Sequence, residues 1–209
     1  MKRNLLSLIA AVVLFLLPNV SFGQVAPPLG VTSTFALFTA VGAFNNTGAS
    51  HVTGDIGSNS AAVVGIPVPG TMISGTIYTP PDGTLTQAAL DVAAAYTALN
   101  QGGSSILVGL GGQTLTPGVY TTGAAAATLN GVLTLDAQGD PTAIFIIRIG
   151  GAFAEAGASN VNLINSASLC NVYWQIGGQF DLADGSVFRD TLLVDGPIHL
   201  LGNSSLLGG

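Results

Sequence analysis

The chain has 209 residues, of which 48% are apolar and only 7% charged, with 29 glycines and 10 prolines. Ordinary domains carry about 25% charged residues, so a solvated disordered tail is excluded, and the glycine content is far below that of collagen. The net charge is −6 and the only cations are Lys2, Arg3, Arg148 and Arg189, which excludes a protein that tracks nucleic-acid phosphates. The single cysteine, Cys170, excludes an intrachain disulfide and a cysteine-cluster metal site.

The first element in chain order reads as an export leader. Lys2-Arg3 is a basic n-region, Leu5 to Leu17 an apolar h-region, and Ser21-Phe22-Gly23 a cleavage-like end, so residues 1–23 are expected to be a cleaved signal peptide. The apolar core of about 13 residues is shorter than the roughly 20 needed to span a bilayer. The domain is then residues 24–209, with Arg148 and Arg189 as its cations and a net charge of −8. The expectation is a secreted protein, either released or attached to the cell surface. Without a disulfide, a large packed core must supply the stability.

Val25 to Gly30 is a short lead-in, and residues 35–58 read as short strands broken by turn residues. Pro80-Pro81-Asp82-Gly83 ends a Pro/Gly-rich stretch. One helix is expected over about 84–100, where Leu85, Ala88, Ala89, Val92, Tyr96 and Leu99 form an apolar stripe. Thr84 can cap it and Gly102-Gly103 stop it. From Thr114 on, Leu115 to Tyr120, Gly131 to Leu135, Ile144 to Ile149, Val161 to Ile164 and Val172 to Ile176 are apolar, β-rich runs. Continuous runs suit strands packed on a common core.

A nonamer with apolar ends recurs at Ala127–Leu135, Phe153–Val161, Phe180–Phe188 and Ile198–Leu206, and again before the helix at Phe44–Val52. Gly fills the fifth place at Gly48, Gly131, Gly157 and Gly202. Ser fills the seventh at Ser50, Ser159, Ser186 and Ser204. A shortest spacing of 18 residues implies coils of a three-sided β-solenoid, about six residues per side, with stacked apolar pins and Gly at tight corners. The early nonamer implies that the N-terminal segment adds a coil to the same stack, with the helix returning along the outside.

Five segments resemble the microbial ice-binding protein family. They are residues 29–37 (Leu-Gly-Val-Thr-Ser-Thr-Phe-Ala-Leu), Asn46 to Gly57, Thr116 to Tyr120, Leu133 to Ile146 and Cys170 to Gly177. The resemblance spans about Leu29 to Gly209. It implies a mainly β fold, a right-handed discontinuous β-solenoid with one long α-helix packed alongside. It also implies ice as the partner, with adsorption to crystals inhibiting their growth or recrystallisation. Two departures matter. Members of the family usually continue past the equivalent of Leu207-Gly208-Gly209 with a further strand-rich stretch, which leaves open a fragment, one module of a longer protein, or a member lacking its last coil. An uncapped end would expose strand edges. The Thr-Gly-X-Thr-like repeats often found on the family's ice-binding flank are weakened here to Thr47-Gly48-Ala49-Ser50 and to later segments that keep only Ser.

Ice contact calls for a flat, rigid face with short hydroxyls and methyls and few charges. Equivalent places on a solenoid repeat about every 4.8 Å. The candidate contacts are Thr47, Ser50, Ser159, Ser186 and Ser204, although Ser beside Gly also serves as a plain turn residue. Asp181 and His199 share the second place of successive nonamers and, if outward, would pair and spoil ice contact there. A rival reading is an exported adhesion or spacer module of the same fold with weak or no ice affinity.

Catalysis is not expected. Solenoid enzymes such as polysaccharide lyases need a carboxylate cluster and a cationic base, and the domain has two arginines and no lysine. The pairs Asp136 and Asp140, Asp181 and Asp184, and Asp190 and Asp195 read as loop acids, and Asp55 as a turn cap. His51 and His199 lack ligand spacing. Gly102-Gly103-Ser104-Ser105 lacks a nucleophile-elbow context. Cys170, near Tyr173 and Trp174, reads as a buried thiol, and the two aromatic residues as core. The expectation is a monomer with no cofactor, metal, nucleic acid or small-molecule substrate.

Overall fold

The first places of the five nonamers stand in one parallel ladder: Ala127, Phe153, Phe180, Ile198 and then Phe44 are successive partners. All five are buried. The structure, a computed structural model, describes residues 23–41, 44–46, 49 and 51–207, without the side chains of Arg189, Leu206 and Leu207. Of residues 1–23, expected to be a leader, all but Gly23 lie outside the described residues.

The N-terminal strands are β1 (Phe35–Thr39), β2 (Phe44–Asn46), β3 (His51–Thr53), β4 (Asp55–Ser58), β5 (Val63–Val64), β6 (Thr71–Ser74) and β7 (Ile77–Tyr78). Helix α1 (Gly83–Ala98) follows. Then come β8 (Ser104–Ser105), β9 (Thr114–Leu115), β10 (Gly118–Thr121), β11 (Ala127–Leu129), β12 (Val132–Asp136), β13 (Phe145–Ile149), β14 (Phe153–Glu155) and β15 (Asn160–Ile164). The last are β16 (Val172–Ile176), β17 (Phe180–Leu182), β18 (Val187–Arg189), β19 (Thr191–Val194), β20 (Ile198–Leu200) and β21 (Ser205–Leu207).

The fold is a three-sided β-solenoid. The first side carries a sheet in the order β8-β10-β13-β16-β19 and a separate sheet β1-β4-β7. The second side is β11-β14-β17-β20-β2-β5 and the third β9-β12-β15-β18-β21-β3-β6. The stack is discontinuous in sequence: β2 docks on β20 and β3 on β21, so the N-terminal coil sits beyond the last one. This corrects the picture of β21 at an uncapped end. Its two edges are paired, by β18 and by β3.

The core lies between the three sides. Phe153 is stacked on Trp174 at 5.2 Å and on Phe180 at 5.6 Å, and Phe188 closes the cluster. Such aromatic pairs contribute about 0.5–1.5 kcal/mol each beyond their area burial. The corners are as tight as the glycine pattern requires. At Gly177 an added Cβ would lie 2.5 Å from the Gly150 carbonyl oxygen of the coil below.

The first side is apolar on both faces because α1 covers it. Ala95 and Leu99 pack on Ile146, Tyr173 and Leu193. Asp82, rather than Thr84, is the N-cap, and its carboxylate accepts from the Thr84 N–H at 2.7 Å. At the other end Arg148 donates to the Gln101 carbonyl at 2.7 Å, to Asn100 Oδ1 at 2.8 Å and to Gln175 Oε1 at 2.7 Å. This ties the helix C-terminus, where a cation is favoured, to the sheet.

Two further expectations change. The run Leu115–Tyr120 is split at Thr116-Pro117 into β9 and β10 on different sides, because proline cannot donate to a ladder. Leu133, not Leu135, is the partner of Val161. The coil that begins at Ala127 therefore turns its corner two residues sooner, at Gly131, whose φ is +93°.

Candidate functional site

The serine ladder exists but faces inward. Ser159, Ser186 and Ser204 are 2%, 0% and 1% exposed. Ser159 Oγ donates to the Leu129 carbonyl at 2.8 Å and Ser186 Oγ to the Ala156 carbonyl at 2.9 Å. The hydroxyls of Ser159 and Ser186 are corner ties between coils, and burial removes all three serines from any surface that could meet a crystal. Thr47 and Ser50 lie outside the described residues. The corner within the nonamer resets the alternation of inward and outward places, and it turns these serines inward.

The outward row of the second side runs through Thr128, Ala154, Asp181, His199, Asn45 and Val64. Each short strand contributes one such residue. The row is interrupted as expected: His199 Nδ1 and Asp181 Oδ1 are 2.9 Å apart. Gln179 also donates to both Asp181 oxygens, at 2.7 and 2.8 Å. These groups hold water strongly in the middle of the side.

The third side is wider and free of the helix. Leu133, Val161, Phe188 and Val52 point to the core, so the alternate residues face out. One row joins Val132, Asn160, Val187, Ser205, His51 and Thr71. A second joins Thr114, Thr134 and Asn162. Seven strands at about 4.8 Å spacing give a face roughly 29 Å long. Its described outward residues are short hydroxyls, amides and β-branched methyls, with His51 as an imidazole among them. Asp136 lies at the end of β12, where its Oδ1 accepts from the Gln138 N–H and from Asn165 Nδ2, both at 2.8 Å.

The remaining polar groups serve the framework. Asp55 accepts from the Thr76 N–H of the next coil at 2.8 Å. Hydrogen bonds from the Thr142 side chain and main chain hold Asp140 below the usual carboxylate range. Burial pushes the Tyr96 and Tyr173 phenols up. Trp174 is fully buried and donates to Asp190 Oδ2 at 3.0 Å. Cys170 is exposed, not the expected buried thiol. It sits in the short 3-10 helix Leu169–Asn171, two residues before β16, the strand that buries Tyr173 and Trp174. Among the described residues no group of three or more His, Cys, Asp or Glu could hold a metal ion. No described helix is long and apolar enough to cross a membrane.

A family model described as Ice-binding-like matches residues 38–209, most of the chain. The chain belongs to the ice-binding family. An ice-binding protein of Nostoc sp. (strain HG1) is 37% identical over 79% of this chain and 61% of its own length. The crystal structure of an ice-binding protein from an Antarctic Flavobacteriaceae bacterium superposes with a TM-score of 0.79 at 33% identity, covering 90% of this chain and 49% of that one. An ice-binding protein from an Antarctic biological consortium gives a TM-score of 0.79 at 27% identity over 92% of this chain and 96% of that chain. The chain thus spans about half to three-fifths of the length of the first two relatives. Membership of the ice-binding family agrees with the solenoid, the detached N-terminal coil and the helix alongside. The sequence carried no signal for the rows on the third side, because their residue types vary from coil to coil.

Proposed function

We propose that this ice-binding family member adsorbs to ice through the third side of its solenoid and thereby inhibits crystal growth or recrystallisation. The observation that carries the reading is the seven-stranded parallel sheet itself, uncovered by α1 and faced with Thr114, Thr134, Asn160, Asn162 and Val132. Hydroxyls and amides at the strand spacing hold waters in a fixed lattice, while interspersed methyls keep that layer from being bound too tightly to join a crystal. The second side is less suited because of the Asp181–His199 pair, and the first is occupied by the helix. Export before function, through a leader over residues 1–23, belongs to the same proposal. So does action as a monomer that needs no cofactor and catalyses no reaction.

The test is Thr134→Tyr, measured by thermal hysteresis and by ice-recrystallisation assay alongside a thermal melt. A ring on β12, between Thr114 and Asn162 in the outward row of the third side, should bring activity close to that of buffer with the melt unchanged. Full activity in the folded variant would remove this side. A wild-type chain without any effect on ice would favour the adhesion or spacer module instead.

A further inference from the structure

Asn130 and Gly131 form the corner between β11 on the second side and β12 on the third. They are the one Asn-Gly step in the sequence. The early turn there sets Gly131 at φ +93°, a conformation that favours glycine. The corner therefore places the least hindered kind of main-chain nitrogen directly after an asparagine. Asn130 is exposed. Among the described residues its side-chain amide makes no hydrogen bond, and neither does the Gly131 N–H. The Gly131 carbonyl, by contrast, accepts from the Asn160 N–H at 3.0 Å. At the left-handed glycines Gly112 and Gly139 the N–H is engaged, by the Val132 carbonyl at 2.7 Å and the Asn165 carbonyl at 2.9 Å.

We propose that Asn130 is a site of self-modification in the folded protein, losing its amide to become a carboxylate, and that the new charge weakens the third side's contact with ice. The Gly131 nitrogen bonds to Asn130 Cγ as the Cγ–Nδ2 bond breaks. Nδ2 leaves as ammonia, taking the proton that the glycine nitrogen gives up, and a five-membered imide remains. Water then opens the imide. Attack at Cγ breaks its bond to the Gly131 nitrogen and leaves aspartate in the ordinary main chain. Attack at the main-chain carbonyl leaves isoaspartate, with the chain routed through the side chain. Either way one amide and one water become one carboxylate and one ammonium, with no oxidant or reductant. The fold favours the first product. The Asn130 main-chain carbonyl is pressed against Gly111 of the preceding coil, where an added Cβ would lie 1.8 Å from the oxygen, whereas the side chain is open to solvent.

The consequence for ice rests on the reading of the third side given above. Asn130 lies two residues before Val132, which opens one outward row of that side. A carboxylate gives up its hydration water only at high cost unless it is paired. Among the described side chains the one cation, Arg148, is engaged at the end of α1 on the first side. Ice activity therefore declines with the age of the molecule while the fold persists.

The folded chain and a synthetic peptide of residues 127–135 are kept side by side in warm, mildly alkaline buffer, digested, and read by mass spectrometry. The folded chain should gain an acid in place of the amide at position 130, with a larger share of aspartate over isoaspartate than the peptide shows. Asn130→Gln, whose attack needs a six-membered ring, should convert about ten-fold or more slowly. The proposal is overturned if the folded chain keeps its amide over the time in which the peptide loses it. It is equally overturned by the peptide's own product ratio in the full chain, which would place the reaction in unfolded molecules. For the effect on ice, Asn130→Asp should lower thermal hysteresis per folded molecule about two-fold or more. Parental activity in that variant, beside an inactive Thr134→Tyr, overturns the effect. Full activity in Thr134→Tyr removes the third-side reading and the effect on ice with it, while the mass spectra decide the modification independently.

Discussion

Ser186 Oγ donates to the carbonyl oxygen of Ala156, 30 residues earlier and one coil below, at 2.9 Å. Ser159 makes the same bond to Leu129. These ties sit at the corner between the second and third sides and hold successive coils in register. Ser186→Ala should cost about 0.5–1.5 kcal/mol, because it removes the tie between coils while the Ala156 carbonyl keeps the Ser159 N–H as a donor. Chemical denaturation measures that cost. Thermal hysteresis per folded molecule should be unaffected, since the hydroxyl is buried.

The two helix-free sides give opposite expectations. Ala154→Tyr, in the outward row of the second side beside Asp181, should leave ice-growth inhibition intact. Asn162→Tyr, next to Thr134 on the third side, should abolish it. Reversal of that order in a thermal hysteresis assay would move the contact to the second side.

Glu155 is an inward residue with Leu129 beside it, 4% exposed, and neither carboxylate oxygen has a hydrogen-bond partner among the described residues. Burial pushes its pKa up to about 8. The unfolded chain releases this proton near the ordinary value, whereas the folded chain retains it until about pH 8. Between those values the folded state binds more protons, so stability falls as pH rises across the interval and levels off above it. Glu155→Leu should flatten that slope and stabilise the protein by about 2–4 kcal/mol at pH 8. Melting curves at pH 5 and pH 8 for both proteins decide the point.

Arg148→Ala removes three hydrogen bonds that join the end of α1 to β13 and β16. A loss of about 2–4 kcal/mol is expected. Hydrogen exchange should rise first in the last turn of the helix, around Ala95 and Leu99. Protection there equal to the parent's would show that apolar packing alone holds the helix.

The repeat made the architecture legible because apolar pins must stack to be buried. Phe44, Phe153, Phe180 and Ile198 could be aligned before any geometry was known, and the detached coil followed from Phe44 alone. Orientation was not legible. A serine two residues beyond a Gly corner looks the same in sequence whether its hydroxyl meets water or an upstream carbonyl, and here it meets the carbonyl. Leu135 passed for the ninth place because its coil turns early at Gly131. Cys170 passed for core because the strand that buries its neighbours begins just after it. The rows of the third side escaped notice because Thr134 and Asn162 share a lattice position without sharing a residue type.

The coil from Thr191 to Leu207 is flanked by one made just before it and by one made about 150 residues earlier. Residues 44–53 therefore have no strand of the later coils to dock on until β20 and β21 have been made. Closing so long a loop is entropically expensive, and such high contact order predicts slow, all-or-none assembly with the early segment exposed meanwhile. Proteolytic nicking near α1 should therefore sever one cooperative unit, not release two.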